Sequence, residues 1–127
     1  MKIDVDRQVA YWRKGAEEDW EVGAELVATR KTRHGLFFIH LAIEKLLKAH
    51  VCRATKEFAP KIHSLIRLSE LSGLDVSTDR RDFLANFTRF NLAGRYPETL
   101  GSPPSPAEAR LRLSRAREVY EWLQSLL

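Results

Sequence analysis

The sequence has few of the features that mark a cross-linked or membrane-spanning protein. Its 127 residues include one cysteine, Cys52, so no internal disulfide can form, and a single thiol fits a reducing compartment. The longest apolar run has four residues, 36–39, far short of the roughly 18 that a membrane-spanning helix needs. The N-terminal residues contain no apolar secretion segment. The expected location is therefore the cytoplasm, with no membrane association.

Several chemical motifs are also absent. There is no glycine-rich phosphate loop and no cysteine pair for zinc. Cys52 has no obvious base beside it, which favours an inert thiol. His40 and Glu44 lie one turn apart, but two ligands do not make a metal site, and His50 is too far along the helix to be a close third. The sequence therefore predicts no metal and no cofactor, and it favours a hydrogen-bonded interior histidine with Glu44 as its charge partner.

Two long helices are predicted in the first half of the chain. Residues 36–52, LFFIHLAIEKLLKAHVC, are apolar on nearly every face, which is typical of a central helix packed on several sides. Before them, residues 6–29 carry apolar side chains at intervals of three and four, typical of an amphipathic helix. Gly23 inside this first helix permits the close approach of a neighbouring helix.

Shorter helices are predicted after the central one. Residues 61–71 favour a third helix that stops at Gly73, with His63 in a capping or packing role. A fourth helix, capped by Thr78 or Asp79, must end before Pro97, because the residue before a proline is disfavoured in helical geometry.

The final helix has the clearest start signal in the sequence. Ser105 is the expected N-cap, Pro106 takes the first helical position, and Glu108 completes a capping box. No segment alternates polar and apolar residues in the way of a strand. The prediction is a single all-α domain over residues 1–127, an up-and-down bundle of four to five helices.

One polar cluster suggests binding. The segment RFNLAGRYPE contains Arg89, Asn91, Arg95 and Tyr96, and two guanidiniums, an amide and a phenol can together bind a phosphate and a base or sugar. The formal net charge of +4 allows such a partner. The alternative is that Tyr96 packs under the proline-rich loop and the arginines are solvated. The basic run around Arg33 is expected to be a solvated helix end.

Three motifs, taken together, resemble a known family. The central FFIHLAIEKLLKAHV, with the spacing EKxxKA, resembles the second helix of the HEPN domain family. The segment PKIHSLIRL resembles the family's proline-x-x-histidine-x-leucine segment, and NLAGRYPE resembles its arginine-tyrosine-proline segment. The resemblance covers residues 7–127.

The resemblance implies a helical bundle that forms homodimers and is often encoded beside, or fused to, a minimal nucleotidyltransferase. It also implies a nucleotide or RNA ligand. Many members are metal-independent RNases that use an arginine followed after four to six residues by a histidine. In toxin members a tyrosine stands two residues after that histidine, and the partner transferase can modify it with AMP.

The match at that motif is partial. Arg89 and Tyr96 take the arginine and tyrosine positions, but the histidine position is Gly94, which has no side chain to move a proton. The leading hypothesis is therefore a non-catalytic HEPN-like protein, with no catalytic residue, that binds a nucleotide or partners a minimal nucleotidyltransferase in a toxin–antitoxin-like module. Its nucleotide-binding residues are the polar cluster, supported from the central helix by His40, Glu44 and Lys48. The alternatives are an RNase of HEPN toxin type and a dimeric scaffold.

Overall fold

The computed structural model describes residues 2–96 and 101–127, which form an all-α bundle, as predicted. The helical segments within these ranges are α1 (Val5–Ala28), α2 (Thr32–Thr55), α3 (Leu65–Ser72), α4 (Thr78–Phe87), α5 (Arg89–Arg95) and α6 (Pro106–Ser125). Helices α4 and α5 adjoin at Thr88, and counting them as one bent element gives five. No described helix is long and apolar enough to cross a membrane.

Helix α2 is the centre of the bundle. It contacts α1, α3, α5 and α6, and its apolar side chains are buried along almost its whole length. It begins four residues earlier than predicted, at Thr32, whose hydroxyl donates a hydrogen bond to the carbonyl oxygen of Pro104 at 2.8 Å. This bond fixes the first turn of α2 against the segment that leads into α6.

Helices α1 and α2 form an antiparallel pair whose backbones touch. A Cβ added to Gly23 would lie 2.9 Å from the carbonyl oxygen of Gly35, and one added to Gly35 would lie 2.7 Å from Val27. Neither position has room for a side chain. The prediction that Gly23 permits close helix approach is confirmed, and Gly35 is its counterpart on α2.

The predicted starts of the two middle helices are wrong by a few residues. Helix α3 begins at Leu65, not at residue 61, because the Ser64 side chain accepts a hydrogen bond from the backbone N–H of Arg67 at 3.2 Å. Helix α4 is capped by Ser77, whose hydroxyl oxygen accepts from the N–H of Arg80 at 3.3 Å. Neither Thr78 nor Asp79 is the cap.

The predicted helix ends are better reproduced. Gly73 ends α3 in the left-handed region, at φ 71°. Ser105 caps α6 by accepting from the N–H of Glu108 at 3.1 Å, and Pro106 is the first helical residue, as predicted. The core lies between α2 and the other helices, and its largest fully buried side chains include Leu36, Ile39, Ile43, Leu46, Leu47, Leu65, Leu68, Leu84, Phe87 and Leu123.

Candidate functional site

One face of α2 collects the chain's polar candidates. Arg33, Phe37, His40 and Glu44 follow one another at intervals of four, three and four residues, so they share a face of the helix. Helix α5 packs against α2, and the contacts described below place its two arginines on this face. We call this surface the α2–α5 face, and it includes His63 from the segment before α3.

At the start of α2, two arginines from distant parts of the sequence meet. Arg33 and Arg89 line one pocket of about 350 Å³, together with Phe90 and the segment 101–104 that precedes α6. The carboxylate on the wall of this pocket is Glu108, which accepts a hydrogen bond from Arg112 at 3.4 Å. The pocket is therefore positively charged, because this carboxylate is already engaged by a third arginine.

The second arginine of α5 lies further along α2. The guanidinium carbon of Arg95 is 5.8 Å from the centre of the Phe37 ring, a cation–π contact. Arg95 is exposed, so its hydrogen-bond donors are accessible from solvent. Its charge also acts on His40, one turn further along α2.

His40 is fully buried, and its ring lies parallel to that of Phe87 at 6.3 Å. Neither ring nitrogen has a hydrogen-bond partner among the described residues. Burial, followed by the electrostatic influence of His63 and Arg95, lowers the pKa of His40 to about 3. His40 is therefore a neutral imidazole at physiological pH.

The expected hydrogen bond between His40 and Glu44 is absent, because Nδ1 of His40 lies 3.7 Å from the carboxylate. Glu44 instead binds two other residues. Its Oε2 atom accepts from Nζ of Lys48 at 3.1 Å and from Nδ1 of His63 at 3.1 Å. Glu44 and Lys48 are both buried, whereas the His63 side chain is 53% exposed. His63 thus does not cap α3, since Ser64 does, but joins the preceding segment to α2.

The remaining polar residues of α5 are placed differently from each other. Asn91 is buried, and its Nδ2 atom has no hydrogen-bond partner among the described residues. Tyr96 is half-exposed at the C-cap of α5, where its backbone N–H donates to the carbonyl of Leu92 at 2.7 Å. Asn91 and Tyr96 are not among the residues that line the Arg33–Arg89 pocket.

A comparison of the sequence with family models decides what kind of domain this is. The model of the HEPN domain matches residues 9–126, almost the whole chain. The chain belongs to the HEPN domain family. The HEPN fold is also consistent with a solved structure, the crystal structure of TT1696 from Thermus thermophilus. That structure is 19% identical to this chain at a TM-score of 0.78, over 94% of this chain and 98% of the other. No curated protein matches this HEPN chain.

The HEPN motif lies on α5. Arg89 opens the helix, Tyr96 is its C-cap, and Gly94 takes the position between them. The structure therefore separates the predicted cluster: Arg89 lines the pocket at the start of α2, while Arg95 approaches Phe37 and His40. His40 and Glu44, expected as supporting residues, lie on the same α2–α5 face as Arg95.

Sequence reasoning missed two residues of this HEPN site, Arg33 and His63. Their partners are 56 and 19 residues away in the sequence, so no local pattern reports the contacts. A signal did exist for Arg33, since it stands four residues before Phe37 and seven before His40 on one helix face. His63 was visible only as the histidine of the PKIHSLIRL motif.

Metal chemistry has no donor set in the described residues, which contain no group of three histidine, cysteine or acidic side chains able to hold a metal ion. Cys52 is buried, and burial raises the pKa of its thiol, which disfavours the reactive thiolate. The arrangement is therefore one of guanidiniums, an imidazole and aromatic rings, suited to binding an anion with a polar organic part.

Proposed function

We propose that this HEPN protein binds a nucleoside polyphosphate on the α2–α5 face, without cleaving RNA, and that it does so as the partner of a minimal nucleotidyltransferase in a toxin–antitoxin-like module. The observation that carries the proposal is the meeting of Arg33 and Arg89 in one positively charged pocket. The ligand class follows from the chemistry of that pocket, and the partner follows from membership of the family.

Phosphate is the group that best fits the pocket. Guanidiniums bind phosphate through charge-assisted hydrogen bonds, often two at a time, and such bonds contribute about 1.5–3 kcal/mol each. The ring of Phe90 lies beneath this pair, with the guanidinium carbons of Arg89 and Arg112 each 5.9 Å from its centre. Stacking on the ring orients the guanidiniums without consuming their hydrogen-bond donors.

The spacing of the arginines favours more than one phosphate. Six residues separate Arg89 from Arg95 on α5, which corresponds to about 9 Å along the helix. A single phosphate cannot contact two guanidiniums so far apart, whereas a di- or triphosphate can extend between them. Asn91 and Tyr96 complete the proposed site as polar groups on the same short helix.

The absence of a catalytic role is supported by Gly94. Glycine stands where HEPN RNases carry the histidine that assists proton transfer, and such assistance is typically worth about 10²–10⁴ in rate. The proposed role is therefore binding. Nucleotide bound here would be presented to, or withheld from, a partner transferase.

Calorimetric titration with ATP, ADP and AMP tests the nucleotide proposal. We expect affinity to increase with phosphate number, and Arg33→Ala or Arg89→Ala to weaken ATP binding about tenfold to a hundredfold. Arg95→Ala should weaken all three nucleotides. The matched control is Arg115→Ala, because Arg115 lines a different pocket of about 370 Å³ where three arginines face three carboxylates. No ATP binding at millimolar concentration, or equal effects of Arg89→Ala and Arg115→Ala, would contradict the proposal.

The partner is tested separately. Co-expression with a minimal nucleotidyltransferase encoded beside this chain, followed by affinity purification, should recover a complex. The control is a transferase of the same class from an unrelated locus, which should not co-purify. Failure to recover the complex would remove the partner from the proposal and leave nucleotide binding to stand on the titrations.

A further inference from the structure

The Glu44 centre differs from an ordinary buried ion pair because one of its members reaches the surface. The carboxylate and the Lys48 ammonium are buried together, and each is the other's charge partner at 3.1 Å. The same carboxylate also holds Nδ1 of His63 at 3.1 and 3.3 Å from its two oxygens. Because Lys48 already balances the charge of Glu44, the third contact is not needed to neutralise the carboxylate.

The carboxylate fixes which ring nitrogen of His63 carries a proton. A carboxylate oxygen only accepts hydrogen bonds, so Nδ1 of His63 is the donor. In the neutral imidazole with Nδ1 protonated, Nε2 is an acceptor, and it lies across the ring from the buried carboxylate. The His63 side chain is 53% exposed, which leaves this acceptor on the solvent side. A carboxylate that orients a histidine in this way sets the ring for contact with a ligand.

His63 and Arg95 approach the α2–α5 face from either side of His40. Arg95 stacks on Phe37, three residues before His40, and His63 binds Glu44, four residues after it. The seven residues between Phe37 and Glu44 span about 10 Å of helix. Both side chains also lie close enough to His40 to lower its pKa. An anion donor and a hydroxyl acceptor thus stand on one surface.

We propose that Nε2 of His63 accepts a hydrogen bond from a ribose hydroxyl of the ligand whose phosphates lie at Arg95 and Arg89, so that this site distinguishes ribonucleotides from deoxyribonucleotides. The inference rests on the proposed function for the identity of its ligand. Glu44 is a positioning residue here, because it holds the imidazole in the tautomer that can accept. Lys48 keeps the buried carboxylate ionised for that task.

The test compares ATP, 2′-deoxy-ATP and 3′-deoxy-ATP by calorimetric titration. Loss of one neutral hydrogen bond should weaken the binding of at least one deoxynucleotide about threefold to tenfold in the wild-type protein. His63→Phe keeps an exposed ring but removes the acceptor, and it should bind all three nucleotides equally. Arg89→Ala, the matched comparison, should weaken all three while keeping the ratio between ATP and its deoxy analogues.

The role of Glu44 has its own readout. In Glu44→Gln the amide can donate to the ring as well as accept from it, so the tautomer of His63 is no longer fixed. Imidazole nitrogen shifts measured by NMR should show a mixture of tautomers, and the preference for ATP over its deoxy analogues should fall. Unchanged tautomer and unchanged preference in this variant would overturn the positioning role.

The outcomes separate this inference from the function beneath it. Wild-type protein that binds ATP and both deoxy analogues equally overturns the hydroxyl contact and leaves nucleotide binding intact. A ribose preference that survives in His63→Phe also overturns it. Wild-type protein that binds none of the three overturns the proposed function and this inference together.

Discussion

The pH dependence of stability tests the environment of His40 at the centre of the α2–α5 face. Burial and two neighbouring side chains lower the pKa of His40 from 6.5 to about 3 in the folded protein. Between these values the unfolded chain binds a proton at this position and the folded protein does not. Because stability rises with pH wherever the unfolded state binds more protons, the contribution is complete above about pH 6.5 and is lost as pH falls toward 3.

The expected size follows from the width of that window. At pH 5 the unfolded histidine is about 1.5 pH units below its ordinary pKa, and each unit corresponds to about 1.4 kcal/mol. The free energy of unfolding should therefore fall by about 2 kcal/mol between pH 7.5 and pH 5 through His40. For a chain of this length, this lowers the melting temperature by roughly 5–10 °C. Burial also lowers the pKa of His50, which adds a further loss of the same sign.

Urea unfolding at several pH values, for wild type and for His40→Leu, isolates the contribution. Leucine has a similar volume and does not titrate, so the variant's profile should be flatter by about 2 kcal/mol over the range, whatever its absolute stability. His34→Gln is the control, since His34 lies near the start of α2, away from the buried centre of the helix. A His40→Leu profile as steep as that of the wild type would refute the reasoning, because His40 would then not be excluded from protonation in the fold.

Three further predictions concern packing, assembly and chemistry. Gly35→Ala should destabilise the fold by about 1–2 kcal/mol in thermal or urea unfolding, because its Cβ would meet the backbone of α1, whereas Gly15→Ala, facing only the flexible Lys45 side chain, should be neutral or stabilising; equal effects would argue against the close contact. Sedimentation at micromolar concentration should show a homodimer, as HEPN domains commonly form, and a purely monomeric profile would count against it. Incubation with structured and single-stranded RNA should give no robust cleavage, because Gly94 replaces the histidine, and cleavage that disappears in Arg89→Ala would promote the RNase alternative.

The fold was largely predictable because its main signals are local. The apolar periodicity of residues 36–52 identified the central helix, and the Ser105–Pro106 pair fixed the start of α6. The start of α3 was wrong because residues 61–64 carry a compatible apolar pattern, while the hydroxyl of Ser64 satisfies the first free N–H groups and begins the helix later. Such a choice between neighbouring caps depends on a single hydrogen bond.

The candidate site was less predictable because its contacts join distant segments. The sequence placed Arg89, Asn91, Arg95 and Tyr96 together, but a helix of seven residues turns these side chains in different directions. The pairing of Glu44 with His63, and not with His40 on its own helix, depends on where the segment before α3 returns to α2. Periodicity describes one helix at a time and contains no information on such a return.

The backbone contact between Gly23 and Gly35 limits how far α2 can slide or roll against α1. Arg33 lies two residues before Gly35 and therefore points from nearly the opposite side of the same helix. The reach of its guanidinium toward the pocket is thus set by a contact that no ligand touches. Ligand affinity becomes a measure of the separation between two helices, and two positions without a side chain act as a spacer that calibrates a charged one.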